Sequence, residues 1–269
     1  MANSAPLLSV SLRVDYPNRP CTLKAVCFDL QPGEILGLVG ESGTGKSTIA
    51  LAILRLLSFK GGRAHGQVIF RGRDLMAVPE REMKQIRGRE IGLILQSPAA
   101  SLNPALRIGA QLAEAWRSHG GNRREPQCAV EHALASVGLP TDREFRSRYA
   151  SQISAGQAQR VLIAMAMMHS PSLLVADEPT SSLDAITQWE ILRLFSALNR
   201  RTGSALLYIS HDLISVASIL HRIAILSGGE IVECGETDSV LTNPRHPYTE
   251  QLLGCLPWLS TIAGPRPAR

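Results

Sequence analysis

The segment GESGTGKST, Gly40 to Thr48, stands between the apolar run EILGLV and the stretch STIALAILRLL, whose apolar residues recur at helical spacing. A glycine-rich turn from strand to helix constrains this chain more than any other feature. Glycines let the backbone curl until successive N–H groups, together with the start of the helix, point at one place, and such a cradle suits phosphate oxygens. Lys46 then reaches the terminal phosphates and the Ser47 hydroxyl binds magnesium. The candidate phosphate-binding set is Gly40, Glu41, Ser42, Gly43, Thr44, Gly45, Lys46, Ser47 and Thr48. The plain alternative is a chance glycine-rich turn, against which the flanking strand and helix count.

Around this segment, aliphatic runs that end at glycine or polar turns (LLSVSLRV, QVIF, IGLIL, SLLVAD, SALLYIS, RIAIL) alternate with helical patterns such as QWEILRLFSALNRR and LISVASILHR. The alternation predicts an α/β sheet with parallel strands. From about Ser97 to Gln159 no convincing strand occurs, and ALRIGAQLAEAWRSH and EPQCAVEHALASVG read as a helical insertion. After His221 short strands surround the SGGE turn, and the last residues, LSTIAGPRPAR, read as a loose tail. There is no internal repeat.

The 269 residues are 45% hydrophobic and 19% charged, which suits a folded chain with a sizeable core. No apolar run approaches the roughly 18 residues of a bilayer-spanning helix, and the first residues lack the pattern of an export signal, so a cytoplasmic protein is expected. The five cysteines are scattered without zinc-site spacing and read as buried or idle thiols. The net charge of +5 is spread thinly and reads as a solvated surface rather than a nucleic-acid stripe.

Four further signals converge on phosphate chemistry. Leu173 to Ala176 lead into Asp177 and Glu178, 131 positions after Lys46, which places two carboxylates where open α/β sheets bind ligands. Asp177 then holds the metal and Glu178 polarises an attacking water; taken alone, the pair is also an ordinary strand-ending turn. Gln96 ends the run IGLIL, as a neutral amide able to ligate magnesium or orient water. Ser210 and His211 end SALLYIS on the same predicted edge, where His211 can bond a γ-phosphate or the water, although a lone histidine is usually structural. Finally, Ser154-Ala155-Gly156-Gln157 opens a long apolar helix, whose exposed N–H groups form a second cradle unless they merely cap a core helix.

Taken in order, these motifs resemble those of the ATP-binding subunits of ABC transporters, and the resemblance runs from about Leu8 to Leu253. GESGTGKST is similar to the Walker A motif, LLVADE to Walker B, Gln96 to the Q-loop, SAGQ to the signature motif, Ser182-Leu183-Asp184 to the D-loop and His211 to the switch histidine. Tyr16 falls where the family places an aromatic that stacks on adenine. The resemblance implies a P-loop NTPase (RecA-like) core with an N-terminal antiparallel β subdomain and a helical insertion subdomain. It divides the chain into a nucleotide-binding core over 1–96 and 161–243, a helical subdomain over 97–160 and a C-terminal tail over 244–269. It implies ATP and Mg2+, with Glu178, His211 and Gln96 catalytic and with Ser47, Gln96 and Asp177 at the metal. Tyr16, Ser154, Gly156, Gln157 and Asp184 join the phosphate loop in binding nucleotide.

The family works as a dimer in which each nucleotide lies between one subunit's phosphate loop and its partner's signature turn, so the second cradle serves a neighbour. The implied partners are two transmembrane permease subunits, a second ATPase subunit and a solute-binding protein, with no nucleic acid. The implied place is peripheral, on the cytoplasmic face of the cell membrane. Two segments, SPAASLNP (Ser97 to Pro104) and NPRHPYTEQLL (Asn243 to Leu253), resemble the importer branch for peptides and nickel, and imply uptake of peptides or of nickel and metal chelates. The family's Leu-Ser-Gly-Gly-Gln reads here Ile153-Ser154-Ala155-Gly156-Gln157. Ala155 places a methyl beside a partner's nucleotide and removes easy access to positive φ, so a weakened site at this turn is expected.

Two rival readings explain less. A P-loop small-molecule kinase leaves SAGQ and His211 without a role. A nucleic-acid-acting ABC ATPase needs a long coiled coil between Walker A and signature, whereas 105 residues without sustained heptads separate Thr48 from Ser154.

Overall fold

The computed structural model describes residues 5–122 and 126–254. The segment LSTIAGPRPAR, Cys255 and part of the polar stretch between the two insertion helices lie outside the described residues.

Ten strands are present among them: β1 (Leu8–Tyr16), β2 (Arg19–Leu30), β3 (Ile35–Val39), β4 (Arg63–Phe70), β5 (Arg73–Asp74), β6 (Ile91–Ile94), β7 (Leu173–Asp177), β8 (Ala205–Ser210), β9 (Arg222–Ser227) and β10 (Glu230–Glu236). They line up as β5-β4-β1-β2-β10-β9-β3-β8-β7-β6. The sheet curls in two parts. β5, β4, β1 and β2 are antiparallel, whereas β9, β3, β8, β7 and β6 are parallel. The parts meet at one ladder position, Glu230 opposite Ala25, supported by Lys24 N–H donating to Gly229 at 2.9 Å.

The parallel strands carry apolar residues on both faces because both faces are covered. Every residue of β3, β7 and β8 is buried. Ile35 and Val39, Leu206 and Tyr208 point into one core, while Leu36 and Leu38, Leu207 and Ile209 point into the other. The second core is closed by α1 (Lys46–Ile53), α2 (Glu80–Ile86) and the antiparallel strands. The first is closed by helices between β6 and β7: α3 (Pro98–Ser101), α4 (Ile108–Ser118), α5 (Pro126–Ser136), α6 (Arg143–Ser147) and α7 (Ala155–Met167). α8 (Ala185–Thr202) and α9 (Leu213–Ala217) pack on the same face, followed by α10 (Thr237–Thr242) and α11 (Pro247–Gly254). Residues 244–254 thus include a helix that buries Leu253.

Several elements differ from the sequence reading, among them β5, α2 and α10, which it did not contain. β2 was not expected, and LISVASILHR is helical only over its first five residues. α9 stops because Leu220 packs into β3 at Gly37, and because His221 is drawn into the sheet end, donating its N–H to Ile35 O and accepting Ile35 N–H on Nδ1, both at 2.9 Å.

Candidate functional site

Parallel pairing brings the C-terminal ends of β3, β8, β7 and β6 to one edge: Val39 is level with Ser210, Asp177 with Ile209 and Ile94 with Ala176. The Gly40–Thr48 loop, Asp177, Glu178, Gln96 and His211 therefore leave the sheet side by side. Open α/β sheets gather ligand groups at this edge for that topological reason.

The loop wraps around its own lysine. Lys46, 4% exposed, donates to Gly40 O at 2.8 Å and to Glu41 O at 2.9 Å, and its ammonium lies 3.8 Å from Glu178 Oε1. Burial pulls the Lys46 pKa below its ordinary value, against the opposing pull of Glu178, Asp177 and Glu41. Gly45, at φ 105, makes the left-handed turn that points the next residues into α1. Thr44 closes the turn by donating its hydroxyl to Glu41 O at 2.8 Å, and Glu41, Ser42 and Gly43 stay exposed. Ser47 donates to Asp177 Oδ1 at 3.0 Å. Burial raises the Asp177 pKa, and this bond only partly offsets the rise.

Glu178 is the hub. Its Oε2 accepts from Gln96 Nε2 at 2.9 Å, and its Oε1 lies 3.1 Å from His211 Nδ1. Its own backbone is left-handed, at φ 47, a costly conformation for a non-glycine residue and typical of functional turns. Gln96 stands two residues beyond the end of β6, at the junction with α3. His211 is about half exposed, so the cluster opens to solvent on that side. Serine and amide oxygens beside a carboxylate form a hard-oxygen set that fits magnesium.

Tyr16 ends β1 with its hydroxyl 3.5 Å from Thr48 Oγ1 and its ring packed beside Gly62, so it borders the loop. Ser154, Gly156, Gln157 and Asp184 stand apart: among the described residues no hydrogen bond or ion pair joins them to the Lys46 cluster. Ser154 and Gln157 form a reciprocal capping box at the start of α7, each taking the other's N–H, at 3.2 and 3.1 Å. The N–H groups of Ala155 and Gly156 remain without an intrahelical partner. Asp184 caps α8, accepting from Ile186 N–H, Thr187 N–H and the Thr187 hydroxyl.

The expectation that Ala155 weakens this turn by removing access to positive φ loses its backbone ground, since the position does not use positive φ. It is the first residue of α7, it is exposed, and its φ is not left-handed. The residue short of room is Gly156, where a Cβ falls 2.7 Å from Thr187 Cγ2.

Sequence reasoning left SPAASLNP and NPRHPYTEQLL without a physical role. The first is a built turn. Buried Gln111 accepts Asn103 N–H at 2.8 Å and donates to Asn103 O and Leu106 O, while Asn103 Oδ1 accepts Ala105 N–H. The second reaches the phosphate loop, through a residue the motif search passed over: the Tyr248 hydroxyl is buried beside Glu41. The signal was present in the letters, an aromatic in an unexplained motif, but its neighbour 207 positions earlier was not.

Residues 23–181 match the family described as ABC transporter, and residues 232–266 match the oligopeptide/dipeptide transporter C-terminal region. The chain is 39% identical to the oligopeptide transport ATP-binding protein OppD of Bacillus subtilis over 94% of this chain and 71% of that protein. It is also 39% identical to the dipeptide transport ATP-binding protein DppD of Escherichia coli, over 93% and 78% respectively. Among solved structures, a post-hydrolysis dimer of an ATP-binding cassette with ADP and Pi matches at TM-score 0.73 and 25% identity, over 86% of this chain and 98% of the other. The protein cbiO1 of Clostridium perfringens, described as part of the ABC transporter complex cbiONQ, matches at TM-score 0.77 and 21% identity, over 96% and 98%, and shows the shared fold.

Proposed function

Because this chain belongs to the ATP-binding subunits of ABC transporters, we propose that it hydrolyses ATP to drive peptide uptake through partner permeases. The observation that carries the proposal is the Glu178 hub: one carboxylate held by Gln96, faced by His211 and set beside the lysine of a phosphate loop.

Lys46 gives up two carbonyls of its own loop for the terminal phosphates, which match its charge better. Ser47, Asp177 and Gln96 hold Mg2+, which when bound neutralises charge on the phosphate oxygens. Glu178, paired with Lys46 at 3.8 Å, accepts the proton of the attacking water. His211 meets the same carboxylate oxygen, Oε1, with Gln96 on Oε2, and orients the carboxylate or the γ-phosphate. Tyr16 borders the loop where a base stacks.

The uncapped N–H groups of Ala155 and Gly156, with Ser154, Gln157 and Asp184 beside them, meet the nucleotide of a second cassette, so that ATP closes the pair and hydrolysis releases it. Gln96 carries this change to α3–α6, the face offered to the permease. The complete assembly has two permeases, two cassettes and a solute-binding protein, with this chain peripheral on the cytoplasmic face. Among the described residues no helix is long and apolar enough to cross a membrane, so anchoring falls to the permeases.

Peptide is favoured over nickel or metal chelates by the named relatives and by the C-terminal match. The test is reconstitution with the permeases and solute-binding protein in vesicles enclosing Mg-ATP. Peptide uptake that disappears with Glu178→Gln is expected. Uptake of nickel alone, or none with intact ATPase activity, overturns the assignment.

A further inference from the structure

Inside β8, between Leu207 and Ile209, a tyrosine stands in a strand buried on both faces. Tyr208 is 0% exposed, and its ring meets Phe195 of α8 edge to face, with centroids 5.6 Å apart. A phenol at such depth needs a partner for its hydroxyl, because an unpaired polar group in the core is costly. Among the described residues it has one, Thr180, itself buried, whose Oγ1 lies 3.0 Å from the Tyr208 hydroxyl.

Thr180 stands two residues after Glu178, in the turn that follows β7. Glu178 donates its N–H to Ile209 O at 3.0 Å, and Glu178 O accepts the Ser181 N–H at 3.3 Å and the Ser181 hydroxyl at 3.1 Å. Pro179 takes the second position of this turn, where its fixed φ fits. Of the two side-chain ties, the one from Thr180 to Tyr208 is buried, whereas Ser181 is exposed.

The anchor matters because the Glu178 backbone, at φ 47, is left-handed, a conformation that a residue with a Cβ keeps only where its surroundings impose it. Its N–H is held by β8 and its carbonyl by the turn. The turn itself is held to the core through Thr180.

We propose that Tyr208 is a positioning residue for ATP hydrolysis: through Thr180 it anchors the turn after β7 and so keeps the Glu178 carboxylate where Gln96, His211 and Lys46 meet it. The inference rests on reading Glu178 as the base, and it adds a residue inside the core that acts only through another.

Tyr208→Phe keeps the ring and its packing on Phe195 and removes only the hydroxyl. In the assembled transporter the single-turnover rate of ATP cleavage, counted above the rate left by Glu178→Gln, is expected to fall about 3- to 10-fold, the worth of about one hydrogen bond. KM and the calorimetric affinity for Mg-ATP should stay within about twofold of the parent, since the phosphate loop is untouched. The melting temperature should fall as well, because Thr180 is left with a buried, unpaired hydroxyl. Adding Thr180→Val removes that hydroxyl too, so the double variant should regain most of the melting temperature while its rate stays low. Thr180→Val alone should slow cleavage to the same degree, with little further loss in the double variant. A parental rate in Tyr208→Phe overturns the proposal, and so does a double variant that recovers rate and melting temperature together, which marks a bond that only packs the core. Cleavage at the parental rate by Glu178→Gln overturns instead the reading of Glu178 as the base, and it shows before any change at Tyr208.

Discussion

Glu178 faces Gln96, His211 and Lys46 at once, so substitutions there separate binding from chemistry. Glu178→Gln retains size and hydrogen bonding but cannot take a proton. ATP binding should persist while hydrolysis falls by about 10²- to 10⁴-fold, read by nucleotide titration and phosphate release. Lys46→Ala strips the donor from two loop carbonyls and the compensating cation from two carboxylates, so weakened ATP binding should come with a lower melting temperature. Asp177 argues in the opposite direction. Because burial raises its pKa, its charge costs stability at neutral pH, and the cost grows as pH rises from the ordinary Asp value of 3.8 through the higher folded value. Asp177→Asn should therefore melt on the order of a few °C above the parent at pH 7, with the gain vanishing below about pH 3.8, while hydrolysis is lost. An unchanged or lower melting temperature at pH 7 would sink this account of the buried charge.

At the scale of elements, α7 and α8 meet where Gly156 touches Thr187. Gly156→Ala should push α7 off α8 at its first turn and lower both melting temperature and transport-coupled ATPase activity. Ala155→Gly, whose methyl is exposed, should leave the melting temperature nearly unchanged. If both variants melted alike, the crowding at Gly156 would carry no consequence. The parallel strands were legible because each is a run buried on both faces, as in LLVAD and ALLYIS. β2 was not, because register shifts opposite Val14 break its alternation: Leu23, Val26, Phe28 and Leu30 are buried at uneven spacing. α9 was read too long because Ile219 and Leu220 keep helical periodicity while serving the sheet end instead. Within the site, groups at strand ends could be read from the letters, since topology alone collects them. Tyr248 could not, since its place beside Glu41 depends on three backbone hydrogen bonds in a turn near the end of the described chain.

At the scale of the molecule, the chain presents two unlike clusters, which the proposed function assigns to one reaction. The Lys46 cluster is assembled around buried Lys46 and Asp177, whereas the tip of α7 and the start of α8 are exposed, with their side chains engaged in capping their own helices. Capping boxes satisfy some N–H groups and leave others, and here those left free belong to Ala155 and Gly156, at the positive end of a 13-residue helix. On the proposed reading, a nucleotide held in one cassette is completed from another. With Glu178→Gln and Mg-ATP, the purified chain mixed with its companion cassette should shift to dimer in light scattering, and a second change on this chain, Ser154→Arg, should return it to monomer by placing bulk at the helix tip. Chelation of magnesium should act in the same direction, since Ser47 and Asp177 then lose the cation they are placed to share. A mixture that stays monomeric with ATP under all these conditions would mean that the exposed cradle serves no neighbour, and the coupling of hydrolysis to permease motion would need another route.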